Sequence, residues 1–273
     1  MLGVLRRPRW VGYLVLGVVF GILTANLGLW QWHRHEAKVE RRTLIETNYD
    51  AAPVAVSVLL PDPDGTFPAP EQWRRVEAQG RYAPDLQHLV RNRPHEGVYG
   101  YEVLVPLLLD DGTALVVDRG WVRNAATATT LPDVPAAPEG EVEVTGWLRP
   151  GEPDLGRDLP PGQLASVDLA RLEAATGLDV LPGYAVLGTE VPAPAGRPAP
   201  LGRPSTALGS HFAYALQWWL TVPVGLILVL VMARQTARDE AAERGGTGTG
   251  TGTGRVVAAA RPRKVRIWDE EDG

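Results

Sequence analysis

His211, Tyr214 and Trp218 stand at positions i, i+3 and i+7 of one apolar run. On a helix they would lie within about 60° of one another and make a single face. The run starts at His211 and stays uncharged until Arg234. An ionisable side chain at the mouth of a bilayer-crossing helix costs free energy, so such residues tend to mark function. The residues alone allow two readings. Either His211 is an interfacial group bonded to backbone or a lipid headgroup above a tryptophan belt, or it holds a ligand against the aromatic face. A second candidate group is Trp30, Gln31 and Arg34, at the end of the other long apolar run. It is either a rim facing a partner or cofactor, or an interfacial anchor. A third is Arg119 with Trp121. Its guanidinium suits a carboxylate of a partner or cofactor, but a strand arginine paired with a nearby acid, beside a core tryptophan, is the alternative.

Composition excludes several classes of function. The 273 residues contain no cysteine, which rules out disulfides, thiolate metal sites and a lipoprotein anchor. Net charge is −5, so no global basic field for nucleic acid exists. The strings G-x-S-x-G, H-E-x-x-H and Walker A are missing, and no acid–base or metal constellation clusters, so an enzyme is not expected. The five histidines are scattered at 33, 35, 88, 95 and 211. His88 and His95 read as surface residues. His33 emerges near His211 and is a conceivable second ligand.

The elements that must position these residues follow from hydropathy. Trp10 to Trp32 is an uncharged stretch of 23 residues, which as a helix spans roughly 34 Å, enough for a bilayer core. It is too long for a signal-peptide core and lacks a clean cleavage site. Gly17, Gly21, Ala25 and Gly28 share one face of it, the spacing that admits a second helix closely. A second span covers 211–233, with Pro223 expected to kink it. Arg6, Arg7 and Arg9 before the first span, and Arg234, Arg238 and Arg244 after the second, orient both termini to the cytoplasm. The expected organisation is residues 1–9 cytoplasmic, 10–32 in the membrane, 33–210 extracytoplasmic, 211–233 in the membrane and 234–273 a cytoplasmic flexible tail. That tail holds a Gly/Thr repeat from Gly245 to Gly254, then a basic and an acidic cluster.

Between the spans the pattern is mainly β. Strands are expected at 72–82, 87–93, 101–109, 114–123, 141–149 and 180–187, with an Asp111-Gly112 hairpin turn. A short helix is expected over 169–176, capped by Asp168 and stopped by Gly177. The fold class is α+β: two transmembrane helices bracketing a mainly antiparallel extracytoplasmic domain with a short helix.

Three strings, in order, carry a resemblance. They are Trp30-Gln31-Trp32-His33-Arg34 with Lys38; Gly97-Val98-Tyr99-Gly100 followed by Val117-Asp118-Arg119-Gly120-Trp121-Val122; and His211-x-x-Tyr214-x-x-Gln217-Trp218. Bracketed by two apolar helices, they resemble the Surfeit locus protein 1 family, assembly factors for haem-copper cytochrome c oxidase, over about residues 10–235. Two positions depart from its pattern: Asp118 replaces an Asn, and Gly209 replaces the Asn two residues before the histidine. The resemblance implies a membrane protein of the cell membrane that handles haem A, with His211 as iron ligand and Tyr214 and Trp218 beside it. A neutral imidazole suits that role. Implied partners are oxidase subunit I, the haem A synthesis machinery and the lipid bilayer. A haem-independent scaffold for nascent oxidase subunits, docked through the Gly17/Gly21/Ala25 face, is the other reading.

Overall fold

The computed structural model describes residues 2–127 and 130–246. The basic and acidic clusters expected after the Gly/Thr repeat, and most of that repeat, lie outside them. The described residues divide into two compact units, one of residues 2–29 with 215–246 and one drawn from residues 30–214.

The first unit is helical. A short α1 (Leu2–Leu5) precedes α2 (Pro8–Asn48). Two further segments, α5 (His211–Thr221) and α6 (Val224–Gly246), are separated at Pro223 as expected. Pro223 has no N–H to continue the ladder, and its own carbonyl accepts from Ile227 N at 2.9 Å to start the next helix. Both helical stretches are long and apolar enough to cross a bilayer, and their large apolar side chains mostly point outward. The helix of the first span runs 16 residues beyond Trp32, because residues 33–48 are rich in Glu and Arg and hold no Gly or Pro. Hydropathy marks the end of the membrane stretch, not the end of the helix.

The small-residue face of α2 is used inside the chain. Gly17 lies against Gly225 and Leu226, Gly21 against the Val222 carbonyl, and Gly28 against the Trp219 ring. Thr24, buried among them, returns its hydroxyl to the Phe20 and Gly21 carbonyls. Val4, Trp10, Val229 and Ala233 form a small cluster at the other end, and Arg7 grips Glu240 with both guanidinium nitrogens.

The second unit is a closed sheet. In order come β1 (Val54–Ala55), α3 (Val56–Leu59), β2 (Arg75–Tyr82), β3 (His88–His95), β4 (Val98–Leu109), β5 (Ala114–Arg123), β6 (Glu141–Pro150), β7 (Gln163–Leu164), α4 (Leu169–Thr176) and β8 (Val180–Val191). Strands β2, β6, β8, β5 and β4 form a ring, closed where Gly80, Arg81 and Tyr82 pair with Leu109, Leu108 and Leu107. Only β5 and β8 run parallel within the ring. The interior is filled by one face of each strand, including Val76, Val103, Val105, Leu115, Val117, Val144, Leu148 and Ala185. Strands β2 and β6 alternate buried and exposed residues, as half-solvated strands do. Strand β5 is buried on both faces, because α4 and the loop before it cover a second core of Leu104, Val116, Leu172 and Tyr184. Helix α4 has the expected ends: Asp168 accepts from Arg171 N, and Gly177 takes φ 69°.

A Cβ at Gly28 would sit 2.3 Å from the Trp219 ring. Gly28→Ala should therefore destabilise the helix pair by about 1–3 kcal/mol through overpacking and shift tryptophan emission in micelles. Gly12→Ala, whose Cβ meets open space, should leave the thermal midpoint unchanged or raise it.

Candidate functional site

The turn before α5 sets the position of His211. Gly209 adopts φ 70°, a left-handed conformation open to Gly and, among other residues, most readily to Asn. The departure at 209 therefore keeps the backbone shape. Helix α5 starts immediately after, and its first-turn bond runs from Tyr214 N to the Ser210 carbonyl at 3.0 Å. His211, Tyr214 and Trp218 lie on this one continuous helix. His211 is half-buried, Tyr214 is 47% exposed and Trp218 is half-buried.

The Nδ1 atom of His211 lies 2.8 Å from Oε1 of Gln31. Its Nε2 has no hydrogen-bond partner among the described residues. Next to it Phe212 packs on Trp32 (6.1 Å between ring centres) and on His35 (5.3 Å). The His35 Nδ1 is shielded and has no partner among the described residues. His33 instead points to solvent. On the same face of α2 as Gln31, Arg34 and Lys38 follow at i+3 and i+7. Both are exposed and neither pairs with an acid among the described residues. Trp30 is 55% exposed. One imidazole nitrogen is thus bonded and the other is without a partner among the described residues, and two cations follow one and two turns further along α2.

The segments carrying these residues are tied to the β unit. The Asn48 amide donates to the Pro70 and Gln72 carbonyls (2.7 and 2.9 Å), and Tyr49 stacks on Trp147 at 4.4 Å. The strap leading to α5 is held by Arg203, which pairs with Asp50 at 2.9 Å and lies over the Tyr49 ring. Sequence patterning missed these ties: an Asn at a helix end and an Arg in a Pro-rich loop carry no periodic signal.

Arg119 and Trp121 lie inside the unit rather than at a rim. The Arg119 side chain is fully buried, pairs with Glu190 through Nε and Nη2 (3.3 and 2.9 Å), donates to the Pro135 carbonyl at 3.1 Å and packs on the Tyr82 ring. Its charge is already matched. Trp121 is buried as well. Its indole N–H donates to the Arg93 carbonyl at 2.9 Å, its ring stacks on His95, and its backbone exchanges two 2.8 Å bonds with Ala199. A side chain at Gly120 would meet the Ala199 carbonyl oxygen at 2.4 Å, and its φ of 127° favours glycine. His88 is also buried, with Nδ1 2.9 Å from the Leu86 carbonyl, which corrects its reading as a surface residue.

Asp118 belongs to a second buried polar group with Glu102, Glu152, Arg93, Arg149 and Tyr184. Arg93 bridges Glu102 at 3.0 Å and also pairs with Glu152, which accepts from Val167 N at 3.0 Å. Burial, then the neighbouring Glu102, pushes the Asp118 carboxyl well above its usual range; the Gly120 N–H, Arg93 and Arg149 oppose this only in part. Its Oδ2 and the Tyr184 hydroxyl have no hydrogen-bond partner among the described residues. Burial raises Glu102 too. Burial also presses on Glu152, but the Arg93 and Val167 hydrogen bonds hold it below the usual range.

Comparisons with known proteins find similarity over most of the chain. The family model described as "SURF1 family" matches residues 18–221. A SURF1-like protein of Mycobacterium tuberculosis is 34% identical over 234 residues, covering 82% of this chain and 84% of its own. A SURF1-like protein of Monosiga brevicollis is 25% identical over 230 residues, covering 78% and 85%. The cytochrome oxidase assembly protein SHY1 of Saccharomyces cerevisiae is 30% identical over 129 residues, covering 45% and 32%.

Two outcomes are expected for the buried charges. Arg119→Met should cost about 3–5 kcal/mol by leaving Glu190 buried and unpaired, and adding Glu190→Leu should recover most of it in chemical denaturation. For Asp118 the raised folded value means the unfolded chain releases its proton first, from about pH 3.9 upward. Its contribution to stability is full below that pH and is lost as pH rises toward the folded value. Asp118→Asn should remove this component, so the variant gains on the parent as pH rises and exceeds it by about 1 kcal/mol or more at pH 8.

Proposed function

The chain belongs to the SURF1 family, and on that premise we propose that it is a membrane-anchored, non-enzymatic assembly factor for haem-copper cytochrome c oxidase. It receives haem A from the synthesis machinery through His211 and aids its insertion into subunit I. The yeast relative's name supports the oxidase assignment. The observation that supports the haem assignment is the His211–Gln31 contact at 2.8 Å, which leaves the Nε2 lone pair without a partner among the described residues at the start of a helix.

The donor set fits the group. His211 offers Nε2 to iron. Tyr214 and Trp218 continue the same helix with flat apolar surface. Arg34 and Lys38 offer unpaired positive charge to the two propionates. In this reading Gln31 belongs to the ligand's support, and Trp30 and Arg34 remain the partner or cofactor rim. The arginines flanking both spans support cytoplasmic termini and a β unit on the outer face of the cell membrane. The haem-independent scaffold loses its motivation, since the Gly17 and Gly21 face is already filled by Val222, Gly225 and Leu226.

Co-expression with a haem A pathway, followed by visible spectra of the purified protein, tests this reading. Wild type should carry haem A, and His211→Ala should lose most of it. Equal haem content in the two would reject His211 as the ligand. Replacing Arg34 and Lys38 by Gln together should weaken haem binding about tenfold, about 1.4 kcal/mol, and flatten its salt dependence.

A further inference from the structure

His211 is the first residue of α5. The first turn of a helix presents backbone N–H groups without partners and no free carbonyl. An imidazole left to this neighbourhood finds donors nearby, so its Nδ1 would serve as acceptor and its proton would rest on Nε2. That tautomer cannot bind a metal through Nε2. The acceptor that reverses the choice comes from another segment, 180 residues away in sequence: the Gln31 side-chain oxygen at 2.8 Å. The two nearby histidines do not replace it. His33 is exposed, and His35 packs its ring on Phe212 and Trp32.

We infer that Gln31 is a positioning residue that holds the proton of His211 on Nδ1, so that Nε2 faces outward as the sole ligand atom. A hydrogen bond of this kind also raises the basicity of the ligating nitrogen, and losing such a partner typically costs 10–100-fold in metal affinity. The inference rests on the reading of His211 as an iron ligand. The tautomer itself is a property of the protein without haem and can be measured there.

The test uses full-length protein labelled with [15N]histidine in micelles, and Gln31→Met and Gln31→Glu variants. Long-range 1H–15N spectra report the tautomer of each ring. The His211 signals are assigned by their loss in His211→Ala. His88, with Nδ1 bonded to the Leu86 carbonyl, is an internal control for an intact β unit. Titration with ferric protoporphyrin IX then reads affinity. In wild type His211 should carry its proton on Nδ1. Gln31→Met should move it to Nε2 and weaken porphyrin binding 10–100-fold, with His88 unchanged. Gln31→Glu should restore the Nδ1 proton and the affinity, and lower the midpoint potential of the bound iron. A wild-type His211 protonated on Nε2 would overturn the inference. So would a Gln31→Met protein with unchanged tautomer and affinity. A wild type with the Gln31-dependent tautomer and no porphyrin binding would instead reject the haem reading while the positioning role stood.

Discussion

One hydrogen bond, from the His211 ring to the Gln31 side chain, sets the geometry on which the candidate site depends. It joins a residue at the end of the first apolar run to the first residue of the second. It can form only if both segments leave the β unit at fixed places. The Asn48 amide and the Tyr49–Trp147 stack fix the end of α2 on the strands. Arg203 fixes the returning strap to Asp50 and Tyr49, and Ala199 fixes it to Trp121. The Asp118-Arg119-Gly120-Trp121 string thus anchors the strap that leads to the candidate site.

The interior shows two ways of burying charge. Arg119 and Glu190 are matched with good geometry and a further carbonyl acceptor. Breaking such a pair is costly even where the pair itself adds little net stability. The group around Asp118 holds three carboxylates against two arginines, and burial favours keeping Asp118 neutral. A protonated Asp presents one donor and one acceptor in the shape of an Asn side chain. The Asp at 118 is therefore a smaller change than its charge suggests.

Much of the fold was legible because it rests on local rules. Runs of β-forming residues between chain breakers gave β2 and β6, the Asp-Gly turn gave the β4–β5 hairpin, and Asp168 with Gly177 gave both ends of α4. Pro223 marked the break between α5 and α6. What was illegible depends on contacts distant in sequence. Ring closure by β2 and β4 involves only three residue pairs. The partner of the α2 glycines is the chain's own second apolar span, which spacing cannot distinguish from another protein. For Arg119 the choice between a free rim and a buried ion pair stayed open, because its acid partner, 71 residues away, leaves no mark near it. At the site, the helical face of His211, Tyr214 and Trp218 was readable from periodicity. That Gln31 would meet the imidazole was not, since a Gln beside two tryptophans also reads as an interfacial anchor.

The central claim is that His211 binds iron through Nε2 while Gln31 holds the other ring nitrogen. Electron–nuclear double resonance on haem-loaded protein, with histidine labelled selectively at Nε2, tests it most directly. Wild type should show a strong coupling between the ferric iron and a labelled nitrogen, absent from His211→Ala. A coupling that persists in that variant, or none in wild type, would contradict it.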